Sequence, residues 1–169
     1  MAQGDIQPYA NSSASKMVGG LTYKVTSNSV GSNGAVSRIL AGEPVTKVAG
    51  AAGVLAAANN APTTTLRIVG VAMDKSNETA SADGTVTIMP ASNGQQFIIA
   101  PKVLATWNTQ ALYNALIGSR VLIDNTAGVY SLLAVDGASN GAIVEYLDIS
   151  KYPGKVAFSF SPLVDYRNV

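Results

Sequence analysis

The chain has 169 residues, 47% of them hydrophobic and only 12% charged, with a formal net charge of +1 and no histidine or cysteine. That length accommodates one domain with a substantial core, but the charged fraction is about half the roughly 25% of an average soluble domain, so much of the surface is expected to be covered by other protein. Lysines and arginines scattered singly exclude nucleic-acid binding as the main function, and the missing cysteines and histidines remove disulfides, thiolate chemistry and the commonest general base and metal ligand.

Residues 1–35 carry only three charges, at Asp5, Lys16 and Lys24, and are dense in Ser, Asn and Gly. A solvated tail has high net charge and few aromatics, yet this segment is studded with Ile6, Tyr9, Met17, Leu21, Tyr23, Val25 and Val30. Its apolar groups are too sparse for a core. The pattern predicts an extended arm that orders against a partner. Leu21, Tyr23 and Val25 share one face of a strand, with Thr22 and Lys24 opposite, and would add to a neighbour's open sheet edge, while Ile6 and Tyr9 anchor the distal end. Removing residues 1–34 would then leave a folded domain with weakened binding. Asp5 and Pro8 interrupt any secretion signal. The stretch from Val48 to Ala58 is too short and too rich in Ala and Gly for a membrane span of about 20 residues. A soluble chain made in a cytoplasm is expected.

From residue 36 the sequence alternates with period two, the signature of strands. Strands are expected at Val36–Leu40, Leu66–Ala72, Thr85–Met89, Gln96–Ala100, Arg120–Asp124, Val129–Val135, Ala142–Ile149 and Lys155–Phe160. Leu66–Ala72 is apolar on both faces and reads as a central strand. Ala41 to Pro44, Asp124 to Gly128 and Pro153-Gly154 are turns. Thr46 to Thr65 has little pattern and reads as a short Ala-rich helix or an ordered loop. Thr106 to Ile117 breaks the alternation: Trp107, Ala111 and Ala115 fall on one helical stripe, Thr106 or Asn108 can cap it, and Gly118 stops it. The fold expected is a mainly β, compact sandwich or barrel with one short helix at 106–117 and the long arm. Residues 1–35 form the arm and 36–169 a single β-rich domain.

No catalytic constellation, cofactor site or metal site emerges. Acid/base hydrolysis needs two carboxylates with separated pKa values, and the ten acids here read as solvated turn residues, Asp74, Glu78, Asp83 and Asp136 among them. The run Asp136-Gly137-Ala138-Ser139-Asn140-Gly141 lacks the alternating acids and closing Glu of a calcium loop. Ser150 and Lys151 are adjacent and would point to opposite faces of a strand. Gly50-Ala51-Ala52-Gly53 lacks the Lys of a phosphate loop. The chain is therefore expected not to be an enzyme. Trp107, the only tryptophan, reads as a core anchor. Tyr9, Tyr23, Tyr152 and Tyr166 occupy arm, turn or tail positions, where Tyr serves interfaces and plain packing about equally.

Four landmarks recur in a set order: Ala41-Gly42-Glu43-Pro44-Val45, Ile68-Val69-Gly70-Val71-Ala72, Gly84-Thr85-Val86-Thr87-Ile88, and Gly118-Ser119-Arg120-Val121-Leu122-Ile123-Asp124. Over roughly residues 36–149 this order resembles the capsid decoration, or cement, proteins of tailed bacteriophages. The insertion between Val45 and Thr65, the arm and the helix exceed the compact core of that family. The resemblance implies a structural virion protein on the outer surface of a capsid. Its partners would be the major capsid protein and further copies of itself, as a trimer or dimer bridging neighbouring capsomers, with no nucleic acid and no membrane. Two other readings fit the composition: a tail or head-fibre component, and a surface module that binds a glycan or receptor.

Overall fold

In the computed structural model the described residues are 6–9, 21–25, 39–47, 54–56, 68–91, 95–126, 129–134 and 141–160. The strands are β1 (Gln7–Tyr9), β2 (Leu21–Val25), β3 (Pro44–Lys47), β4 (Val54–Ala56), β5 (Ile68–Ala72), β6 (Gly84–Pro90) and β7 (Gln96–Ile99), followed by β8 (Arg120–Thr126), β9 (Val129–Leu133), β10 (Ala142–Glu145) and β11 (Val156–Phe160). The helix α1 (Gln110–Asn114) and a 3-10 turn (Leu104–Thr106) lie between β7 and β8. The fold is mainly β, built from two antiparallel sheets with orders β1-β7-β11-β10-β8-β9 and β2-β6-β5-β3-β4.

The first sheet closes on itself. From β7 through β11, β10 and β8 to β9 every neighbour is antiparallel, so β9 runs in the same sense as β7. A contact that joins them has to be parallel, and the bridge between Pro101 and Leu132 is parallel. There Lys102 N donates to Leu132 O at 2.8 Å and Leu132 N to Ala100 O at 3.2 Å. Closure removes the unpaired edge that an open sheet presents. The interior is filled by alternate residues of these strands. Phe97, Phe158 and Phe160 meet with ring centroids 5.3–5.9 Å apart, amid Ile99, Val121, Ile123, Leu132 and Val144.

The second sheet has its own apolar side, formed by Val25, Val45, Val69, Ala72, Val86 and Ile88 together with Ile39. Its other side sends Ile68, Val71, Met89 and Ala91 into the larger core. β5 is central and buried on both faces, as its sequence predicts. Ile68 and Val71 are three apart and would face opposite ways on a regular strand. The register shift that pairs Val45 with Gly70 but Thr46 with Ile68 leaves Val69 as an extra residue. That bulge puts both side chains into one core. The outer strands β2 and β4 approach with Cα atoms within 8 Å, so this sheet curls as well.

Two side chains continue the β5–β6 pairing beyond the strand. Thr87 N donates to Asp74 Oδ1 at 2.8 Å, and Thr85 N to Asn77 Oδ1 at 2.7 Å, each carboxyl or amide oxygen standing where a backbone carbonyl would be. Gly84 is required there, because a Cβ would lie 2.2 Å from Glu78 N. Between β10 and β11 Lys155 N donates to Tyr152 O at 3.2 Å, and Gly154 has φ 70°. Pro153 and Gly154 are thus the central residues of a type II turn.

Several sequence expectations need correction. The helix is shorter than 106–117: only Gln110–Asn114 is α-helical, and its cap is Thr109, whose Oγ1 accepts from Leu112 N at 3.3 Å. Val54–Ala56 is a strand, not a helix or loop. Asp124, Asn125 and Thr126 belong to β8 and pair with Ser131, Tyr130 and Val129 rather than forming a loop; residues 127 and 128 of the expected loop lie outside the described residues. Glu78 is buried rather than solvated. The Gly-rich run at 136–141, rejected as a calcium loop, lies outside the described residues except for Gly141, as does the boundary at 35 and 36.

Candidate interaction surfaces

The two described strands of the N-terminal segment engage this chain's own sheets. β1 pairs with β7 in the register Gln7–Ile98, Pro8–Phe97 and Tyr9–Gln96. β2 pairs with β6 from Leu21–Ile88 to Val25–Gly84. Ile6 is buried in the larger core and Val25 in the smaller one. Tyr23 is half-buried against the smaller core, and Leu21 is exposed. Tyr9 is half-buried beside Tyr152, edge to face at a centroid distance of 5.4 Å. Strand addition by this segment therefore occurs within the chain, once on each sheet. Of the five residues expected to bind a partner, Leu21 alone is classed as exposed.

The connection between β7 and β8 presents a different kind of surface. No residue from 103 to 119 is charged. Its inner side is fixed by Trp107, Gln110 and Tyr113. Trp107 is buried and meets Tyr113 at 5.8 Å. The Tyr113 hydroxyl donates to Glu145 O at 2.8 Å and accepts from Ala157 N at 2.9 Å. It sits between two backbone groups of the register pair Glu145–Ala157, and burial pushes its ionisation far above the ordinary tyrosine range. The Gln110 amide donates to Leu147 O at 3.0 Å and accepts from Ile149 N at 3.1 Å. The outer side carries Val103, Leu104, Leu112 and Ile117, each 41–54% exposed, along with exposed Ala111 and Ala115.

The sequence puts Trp107, Ala111 and Ala115 on one helical stripe, with Trp107 as a core anchor. Trp107 is indeed a core anchor, but it precedes the helix, and both alanines face outward. The available signal was the spacing Gln110, Tyr113, Leu116, three apart, which marks the face turned to the sheet; Leu116 packs against the core.

A polar cluster closes the barrel seam. Lys102 Nζ lies 2.8 Å from Asp124 Oδ2, and the Thr126 hydroxyl donates to the same oxygen at 2.8 Å. These bonds, the one from Lys102 foremost, hold the Asp124 carboxyl below the ordinary aspartate range despite partial desolvation. A shallow depression of about 400 Å³ lies here, lined by Ala100, Pro101, Val129 and Tyr130 beside the ion pair. Lys102 Nζ, the Thr126 hydroxyl and Asp124 Oδ2 bond to one another. The cluster is a structural clasp.

Among the described residues no group of three or more potential metal-binding acids gathers, and no helix is long and apolar enough to cross a membrane. Ser150 Oγ donates to Asp148 Oδ1 at 2.6 Å, within the turn that also holds Lys151. Tyr166 lies outside the described residues. No protein-family model, curated protein or solved structure matches the chain.

Proposed function

We propose that this chain is a structural virion protein that binds the outer surface of a phage capsid and stabilises it by bridging neighbouring major capsid subunits. The observation that carries the reading is the uncharged connection from 103 to 119 with its outward Val103, Leu104, Leu112 and Ile117. An apolar surface free of charges matches the composition of a protein interface core. The charge-poor surface and the cement-like order of landmarks across the β domain supply the partner.

Magnitudes fix the form of binding. Four aliphatic side chains, each about half exposed, would contribute roughly 1 kcal/mol apiece when covered, about 4 kcal/mol together. Association costs about 4–15 kcal/mol in lost motional freedom. One such patch does not hold a particle alone. Several copies joined in a homo-oligomer, or repeated around a symmetric shell, raise effective concentration and make a weak contact persistent. A protein that binds the closed shell and not the ruptured one stabilises it by mass action.

The test is the full-length double variant Leu104→Asp/Leu112→Asp added to purified capsids. Both side chains are exposed, so the fold should survive, and circular dichroism checks this. The proposal expects at least a tenfold loss of co-sedimentation and loss of the heat resistance conferred on particles. Wild-type retention by a folded double variant would overturn this face as the capsid contact.

A further inference from the structure

A second surface, away from the apolar connection in sequence and different in chemistry, forms where β1 meets the connection between β10 and β11. Tyr9 comes from β1, Tyr146 follows β10, and Tyr152 stands at the start of the Pro153-Gly154 turn. Tyr9 and Tyr152 form the edge-to-face pair described above. Tyr146 is 55% exposed and Tyr152 37% exposed. Asp148, Lys151 and Tyr152 share one turn, in which Lys151 N and Tyr152 N donate to Asp148 O at 3.1 and 3.2 Å.

The turn beside the rings is already organised. Asp148 Oδ1 accepts from both the backbone N and the hydroxyl of Ser150, at 3.1 and 2.6 Å. Lys151 Nζ stands 3.5 Å from Asp148 Oδ2. Behind the turn the Gln110 amide pins Leu147 and Ile149, so Asp148 is carried on a segment tied at the residues on either side. Acceptor, hydroxyl and ammonium thus stand side by side next to exposed aromatic rings.

We propose that Tyr9, Tyr146, Tyr152, Asp148, Ser150 and Lys151 form a saccharide-binding site. A pyranose ring offers polarised C–H groups on its face, which the negative face of a tyrosine ring attracts. It offers hydroxyls around its rim, each both donor and acceptor, and these match a carboxylate, a hydroxyl and an ammonium in one turn. A protein partner is the poorer fit, because Asp148 and Lys151 border the rings and would be desolvated under a flat apolar contact. A sugar replaces their hydration with hydroxyls.

The test uses the full chain on an array of hexose and N-acetylhexosamine oligosaccharides, followed by calorimetry with the strongest binder. Tyr146→Ala and Tyr152→Ala should each weaken binding about tenfold or more. Tyr152→Phe should retain it, because the ring stacks and the hydroxyl does not. Asp148→Asn should weaken it with the fold unchanged by thermal melting, and Leu112→Asp should leave it intact. The site is refuted if no saccharide on the array is retained, or if both alanine variants bind as the wild type does. It is refuted equally if the tyrosine variants weaken capsid association while saccharide binding is absent, which would make the patch a protein contact. The Leu104→Asp/Leu112→Asp result bears on the capsid reading alone, so the two fail separately.

Discussion

A single phenol illustrates how much one side chain can fix in this fold. The Tyr113 hydroxyl joins Glu145 O to Ala157 N, two backbone groups in neighbouring strands. Tyr113→Phe keeps the ring and its contact with Trp107 but leaves those groups unsatisfied in a buried setting. The cost should be about 1–3 kcal/mol by urea unfolding; a change under about 0.5 kcal/mol would mean that the strands re-pair directly. Gly84→Ala is expected to cost more, because the new Cβ meets backbone rather than a movable side chain. Asp124 sets a pH dependence. Its carboxyl pKa lies below its unfolded value of about 3.9, so its contribution is complete above that value and is lost as pH falls through the lower, folded one. The difference in stability between wild type and Asp124→Asn should be flat near neutrality and shrink below about pH 4. It should never exceed about 1 kcal/mol, since Lys102 is substantially exposed.

Elements explain what the sequence disclosed and what it hid. Strands with strong alternation, such as β8 and β9, were legible because one face of each is buried and the period is two. The type II turn at Pro153-Gly154 was legible because the two residues preset its dihedrals. The helix was misjudged because its inward face is chosen by what awaits it, a gap in the β10–β11 pair for Tyr113 and a loop for Gln110, and neither is visible along the chain. The role of β1 and β2 was hidden for a related reason. A sparse apolar pattern says that a strand needs a sheet, but not whose. In the structure Ile6 fills this chain's own core, so Ile6→Ala should destabilise the domain by about 2–5 kcal/mol, measured by chemical denaturation of the full chain. An arm that served only an outside partner would leave that stability unchanged. Gln110→Ala should speed hydrogen exchange at the Ile149 amide, which donates to the Gln110 side chain, while leaving the barrel strands protected.

At the scale of the whole molecule, two curled sheets make a body whose edges are, among the described residues, largely used internally. The first sheet closes through a parallel bridge, and β1 occupies part of the flank of β7. Such a body has little exposed edge to offer for strand addition, which shifts the expected contact with a capsid from the N-terminal segment to the apolar connection between β7 and β8. That surface was only partly legible. The absence of charge from 103 to 119 can be read directly, but which of its residues face outward depended on the helix being short and turned by Gln110 and Tyr113. The tyrosine patch was less legible still, since Tyr9 and Tyr152 meet only after β1 has joined β7. The most direct measurement of the central proposal is the copy number and location of this protein on purified virions, by quantitative mass spectrometry with cryo-electron microscopy. Hundreds of copies distributed over the outer head shell are expected; a handful confined to the tail or a fibre, or none on the particle, would contradict a capsid-stabilising role.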